Sequence, residues 1–195
     1  MRAIFLVLLI GLPLTAVAQK GYQEGFLLTS HLDSTKGLVK FSRKANVPTP
    51  CLFKANKKIT AREIYPGTVY GFCNREGAYF VSRSIGRSSV VFLEVLVKGR
   101  MSLYQFGDIF FVEQSDSTFF ELSDGYELVE VEGERLRQKS RNFTRMLSVL
   151  MRDCPEASKK ATSVKLQGKQ LVEIVSFYNN CKGSKNVYFR LKGKR

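Results

Sequence analysis

Arginines 137, 141 and 145 recur every fourth residue, and Arg152 follows downstream. A guanidinium presents a planar fork of donors that matches phosphate or carboxylate, and four-residue spacing on a helix lines such forks along one face. Arg137, Arg141, Arg145 and Arg152 are therefore the candidate anion-binding set. The plainer reading is a solvated helix face lying over the acids at 127–134. Glu130, Glu132 and Glu134 alternate with period two and would line three carboxylates along a strand end, suited to proton transfer or a cation. Their spacing matches no known ligand loop, and a solvent-facing strand end accounts for them as well. The chain contains no Gly-x-Ser-x-Gly, Ser-x-x-Lys, His-Glu-x-x-His, phosphate loop or dinucleotide fingerprint. Any Ser-His-Asp or Cys-His arrangement would have to use His31, the only histidine, which falls in turn-like sequence. The expectation is a non-enzymatic protein with no catalytic residues and no cofactor; the alternative is an exported hydrolase built on an unrecognised carboxylate site.

Four cysteines allow three disulfide connectivities. Cys154 and Cys181 both close helix-like segments, and Cys51 and Cys73 both sit in strand-like ones, so pairing within regions, 154 with 181 and 51 with 73, is expected. Each such loop contributes about 3–4 kcal/mol in the chain-entropy picture. Metal ligation is the weaker reading, because no Cys-x-x-Cys occurs and His31 has no neighbour at ligand spacing.

Cysteine use on this scale fits an oxidising compartment, and the N-terminus agrees. Arg2 precedes an apolar run, Ala3–Leu12, and Ala16-Val17-Ala18 forms a small-x-small site before Gln19. The pattern predicts a signal peptide over 1–18, cleaved between Ala18 and Gln19, against the alternative of an uncleaved anchor. No later stretch is apolar enough to span a bilayer, and the interrupted strands do not supply a lipid-facing barrel band. The protein is expected to be exported, and periplasmic, envelope-associated or secreted.

Formal charge is +14. Seven bases and no acid lie between Ser34 and Lys58, nine acids and no base between Asp108 and Glu134, and a basic tail occupies 182–195. Such a balance favours anionic partners, or internal pairing of basic with acidic strands. An exported chain with no aromatic platform beside its arginines is a poor nucleic-acid binder. An anionic envelope polymer or an envelope protein complex fits better.

The elements that must position these residues read as an α+β protein, a single domain over 19–181. Val90–Val97 carries one charge, Glu94, and otherwise suits a strand covered on both faces. Lys98-Gly99-Arg100 turns it into Met101–Phe106, the central hairpin of an antiparallel curled sheet. Earlier strands are expected at Gly25–Ser30, Gly37–Ser42, Cys51–Ala55, Val69–Cys73 and Ala78–Ser82, and later ones at Ile109–Glu113, Thr118–Leu122 and Tyr126–Val131. At Gly133 the apolar period changes from two to 3.6, predicting a helix from Leu136 to Leu150, a short one over Glu156–Ala161 and another over Lys169–Cys181. Leu171, Ile174, Val175 and Tyr178 would face inward. This helical layer is expected to be stapled by Cys154–Cys181, provided the chain between runs back along the first helix.

Several stretches also carry a resemblance. Residues 21–41, Leu52-Phe53-Lys54, Ile64-Tyr65-Pro66, Tyr70-Gly71-Phe72, Glu76–Ser82, Phe92–Gly99, Ser102-Leu103-Tyr104 and Tyr178-Asn179-Asn180-Cys181 together resemble a cell-envelope protein family widespread in Bacteroidota. Some members of that family look like a periplasmic region fused to an outer-membrane β-barrel, here without the barrel. Members often carry a tryptophan and Asn-Pro where this chain has Ala45–Pro50, so that loop departs from the pattern. The resemblance implies location and fold; it implies no reaction and carries over no catalytic residue.

Overall fold

The computed structural model describes residues 21–30, 33–42, 47–85, 89–114, 119–131, 134–140, 142–181 and 187–188, with backbone alone over 125–131, 134–140 and 187–188. The segment 1–18 read as a signal peptide, the expected Ala18–Gln19 junction, Arg141 and most of the basic tail lie outside these residues. The main body is an antiparallel sheet in the order β10-β9-β8-β7-β6-β5-β1-β2-β3-β4, curled into a half-barrel. Its strands are β1 (Gln23–Leu28), β2 (Ser34–Lys40), β3 (Cys51–Lys54), β4 (Arg62–Ile64), β5 (Gly71–Asn74), β6 (Tyr79–Ile85), β7 (Ser89–Lys98), β8 (Met101–Phe106), β9 (Ile109–Gln114) and β10 (Phe119–Leu122). Helices α1 (Asn142–Leu150), α2 (Pro155–Ala161) and α3 (Gly168–Asn180) follow, and β13 (Val187–Tyr188) pairs with the end of β7.

The central hairpin is where the sequence placed it. Residues Val91 to Val97 of β7 are all buried, as a strand covered on both faces requires. A register shift between Val95 and Val97 puts an extra residue into β7 opposite β8, so that Leu96 and Val97 both enter the core beneath the helices. Cross-strand pairing aligns Leu122, Phe110, Gln105, Glu94, Phe80, Phe72 and Leu27 in one row. This inner face holds two cores. One, with Leu103, Phe110, Val112 and Leu122, is covered by Phe143, Leu147, Leu171, Val175 and Tyr178 of the helices. The other, Leu27, Val39, Phe53, Phe72, Phe80 and Phe92, is closed by the curl of the sheet itself.

Two features produce that closure. Gly25 and Gly37 face each other across β1 and β2. A Cβ on Gly25 would run into the Cys73 carbonyl and come within 2.7 Å of the Val39 methyl, and one on Gly37 would meet the Lys54 carbonyl and come within 2.6 Å of the Phe53 ring. Only a hydrogen leaves neighbouring strands room to bend this closely. In the helical layer, α2 starts on Pro155, whose missing N–H is an orphan at a helix start, with Glu156 in its first turn and Lys159 and Lys160 in its last, each matching the helix dipole. The chain doubles back along α1, and Cys154 meets Cys181 across 27 residues with Cα atoms 6.3 Å apart.

Two expectations fail. Cys51 and Cys73 are free thiols. β1 and β2 are inserted between their strands, about 14 Å of strand spacing, and the alternation points Cys51 into the inner core while Cys73, next to inward Phe72, points outward. The segment read as the start of the first helix is instead strand β12 (Glu134–Ser140), paired with β11 (Gly125–Val131) in a separate two-stranded sheet. The first helix begins at Asn142.

Candidate functional site

The outer face of β1–β3 gathers the basic run of the sequence into an array. Residues two apart on a strand share a face, so Lys36, Leu38 and Lys40 of β2 point outward while Val39 enters the core. Register places Lys54 of β3 directly opposite Leu38, and Leu52 opposite Lys40. Lysines and leucines therefore alternate in a checkerboard, with Lys54 diagonal to both Lys36 and Lys40, about 7–8 Å in strand geometry. Phe26, 41% exposed, sits opposite Lys36 and extends the apolar component.

The aromatic ring of Tyr22 ties two of these cations together. Gly21 turns the chain with φ of 98°, a conformation that glycine adopts freely, and lays its backbone along the Lys40 stem. The Lys40 ammonium then lies 5.7 Å and the Lys54 ammonium 4.8 Å from the Tyr22 centroid. Each such contact is worth about 0.5–1 kcal/mol at an exposed site. Lys57 and Lys58, exposed in the turn after β3, add two further charges; the Lys58 N–H donates to the Asn56 side chain at 2.9 Å. Acids share this face: register sets Glu24 opposite Leu38, diagonal to Lys36 and Lys40, and Glu63 opposite Leu52, diagonal to Lys54. Glu24 faces Arg75 at 3.5 Å, both largely exposed, and Glu63 accepts the Tyr65 hydroxyl. Two like charges held on one ring, a third diagonal to Lys54, and Lys57 and Lys58 in the following turn outnumber the carboxylates of Glu24 and Glu63 and leave this face net positive.

Farther along the outer face, over β6–β9, the chemistry differs. Tyr104, 3% exposed, donates its hydroxyl to Glu113, which also faces Arg83 at 3.4 Å. Burial, followed by the hydrogen bond to Glu113, pushes the Tyr104 phenol well above its ordinary range. Desolvation opposes the Arg83 charge, but Glu113 and the neighbouring tyrosines outweigh it and hold the guanidinium protonated. Glu113 thus ties β9 to Tyr104 of β8 and Arg83 of β6, while the Arg83 Nε is buried without a hydrogen-bond partner among the described residues.

The arginines singled out in the sequence do not converge. Arg137 belongs to β12, in register with Leu128; Arg145 is exposed on α1, and Arg152 is exposed in the turns that follow it. A stripe on one helix is excluded, because the helix starts after Arg137. The glutamate row is likewise divided. Glu130 pairs with Arg135 on the ladder and Glu134 with Val131, so they lie on different strands and rungs. Among the described residues no group of three or more His, Cys, Asp or Glu could hold a metal, and no helix is long and apolar enough to cross a membrane. What the sequence reading lacked was the pairing of β2 with β3. The charge run was visible there, but the array was not. Comparison of the chain with protein-family models, with curated proteins and with solved structures finds no match.

Proposed function

We propose that this protein is an exported, non-enzymatic module of the cell envelope whose basic outer face binds an anionic envelope polymer of the phosphorylated-polysaccharide class. The observation that carries this reading is the Lys36, Lys40 and Lys54 array around Leu38 and the Tyr22 ring. Ammonium groups supply charge without fixed geometry, which suits a polymer whose phosphates are irregularly spaced, and the interleaved leucines and aromatics can take the apolar faces of sugar rings. The compartment follows from the N-terminal targeting pattern and the envelope-family resemblance, and the Cys154–Cys181 bond is compatible with it.

Salt-titrated binding of the mature protein to phosphorylated lipopolysaccharide is the test. Affinity should fall steeply with ionic strength. The combined Lys36→Gln, Lys40→Gln and Lys54→Gln variant should lose most of it, whereas Arg145→Gln with Arg152→Gln should keep it. Binding that ignores salt, or survives in the triple variant, removes the proposal.

A further inference from the structure

β1 and β6 start, and β2 and β5 finish, at the same end of the curled half. There the aromatic core runs out into a cavity of about 170 Å³. Strand alternation decides what lines it. Gln23 stands opposite inward Val39, and Asn74 lies two residues beyond inward Phe72, so both carboxamides fall on the inner face. Beside them lie three rings. Phe72 and Phe80 stack at 4.7 Å, and Phe41 tilts against them at 5.1 and 4.9 Å.

We infer that this cavity binds a single pyranose ring, a terminal or branch sugar of the polymer proposed above; the polymer's identity, though not the sugar site, rests on that reading. The two carboxamides belong to a chain of hydrogen bonds whose direction is set at its start. The Ala78 N–H donates to Asn74 Oδ1 at 2.9 Å, so the Asn74 NH₂ is the group that donates to Gln23 Oε1 at 2.7 Å. The Gln23 NH₂ in turn donates to the Glu76 carboxylate at 3.1 Å. A carboxamide has two N–H donors and two lone pairs, so each keeps one donor and one acceptor for a ligand. A hydroxyl donates and accepts at once, and a sugar carries several around its rim. A phosphate would use the N–H groups and leave the lone pairs unmet, and an ammonium would do the reverse. The apolar C–H face of the sugar ring suits the phenylalanines. Size agrees: a cavity of about 150 Å³ admits benzene, so this one takes one six-membered ring and not a run of them. Gly21 also lines the cavity, and its backbone lies along the Lys40 stem. The cavity therefore adjoins the lysine array, and a polymer that seats a sugar in one can set a phosphate against the other.

The test is ligand-observed NMR on the mature protein with the methyl pyranosides of glucose, galactose, mannose and N-acetylglucosamine. Cyclohexanol, which matches the ring but carries a single hydroxyl, is the control. At least one pyranoside should bind, with cyclohexanol at least about tenfold weaker. Gln23→Met, close in length at a half-buried position, should weaken binding about tenfold. Ala78→Leu keeps the backbone N–H that orients Asn74 but fills the cavity, and should abolish binding. The Lys36→Gln, Lys40→Gln and Lys54→Gln combination should leave binding of these neutral sugars unchanged. Ala78→Leu should also lower affinity for lipopolysaccharide while keeping its salt dependence; an unchanged affinity would overturn the assignment of the ring to the polymer and give it to a free sugar. Pyranoside binding without lipopolysaccharide binding sustains the cavity and removes the polymer. No pyranoside binding, equal binding of cyclohexanol, or binding that both Gln23→Met and Ala78→Leu leave unchanged overturns the inference and leaves the lysine array standing on its own test.

Discussion

The two halves of the inner face reach the same end, a dry core, by different means. Over β7–β10 a separate layer closes the sheet, and specific ties hold it down. Asn179, fully buried, accepts the Met101 N–H and donates to the Met101 carbonyl, both at 2.8 Å. Arg100 pairs with Asp153 and lies 5.3 Å over the Tyr178 ring, and Cys154 is bonded to Cys181. Over β1–β6 no helix of the described residues intervenes. Curvature made available by facing glycines brings the phenylalanines into contact, and ring packing does the rest. Closure by a fastened lid concentrates stability in a few long-range bonds. Closure by curling distributes it over backbone geometry, and it leaves a seam at Glu94 where the two cores meet.

The comparison breaks most readily at the glycines. Gly37→Ala should cost about 3 kcal/mol or more, since the methyl meets a backbone carbonyl and a buried ring that cannot both yield; a folded variant with unchanged thermal midpoint would deny the curling account. Next is the lid. Cys154→Ser with Cys181→Ser should lose about 3–4 kcal/mol by denaturant titration while the β signal in circular dichroism persists. Asn179→Leu should cost about 2–3 kcal/mol, because the Met101 N–H and carbonyl lose their partner in a buried place. A further effect, confined to alkaline pH, separates the halves. Burial pushes the Cys51 thiol up to about 12. Its folded pKa is raised, so its contribution is complete below the ordinary thiol value near 9 and is lost as pH climbs from there toward 12. The slope is at most about 1.4 kcal/mol per pH unit. Cys51→Val should flatten that part of an alkaline stability curve. Alkylation with mass mapping of the native protein should label the half-buried Cys73 slowly and Cys51 not at all, whereas a recovered 51–73 bridge would contradict the strand order.

The local patterns in the sequence were legible where a single element decides them. The doubly covered strand read at Val90–Val97, buried from Val91 onward, the inward Leu171, Ile174, Val175 and Tyr178 of α3, and the Cys154–Cys181 staple all follow from composition and period. Failures came where a non-local partner decides. Leu136 stands seven residues before Phe143 and mimics a helical face, yet pairing with β11 draws 134–140 into a strand, an override of local period by tertiary context. Cys51 and Cys73 look like neighbours until β1, from earlier in the chain, inserts beside β5. Lys54 and Leu38, or Glu94 and Gln105, are brought together only by register, and no periodicity along the chain announces a register.

That central position of β1 bears on the order in which the protein assembles. The β1–β2 hairpin is complete within the first strands delivered, but its other edge waits for β5 and the lid waits for Cys181. Oxidation of Cys154 and Cys181 then marks the end of folding, after the aromatic half has already zipped shut. Pulsed alkylation during refolding should find Cys51 shielded before the bond appears; the reverse order would make the staple an early scaffold and not a final clasp.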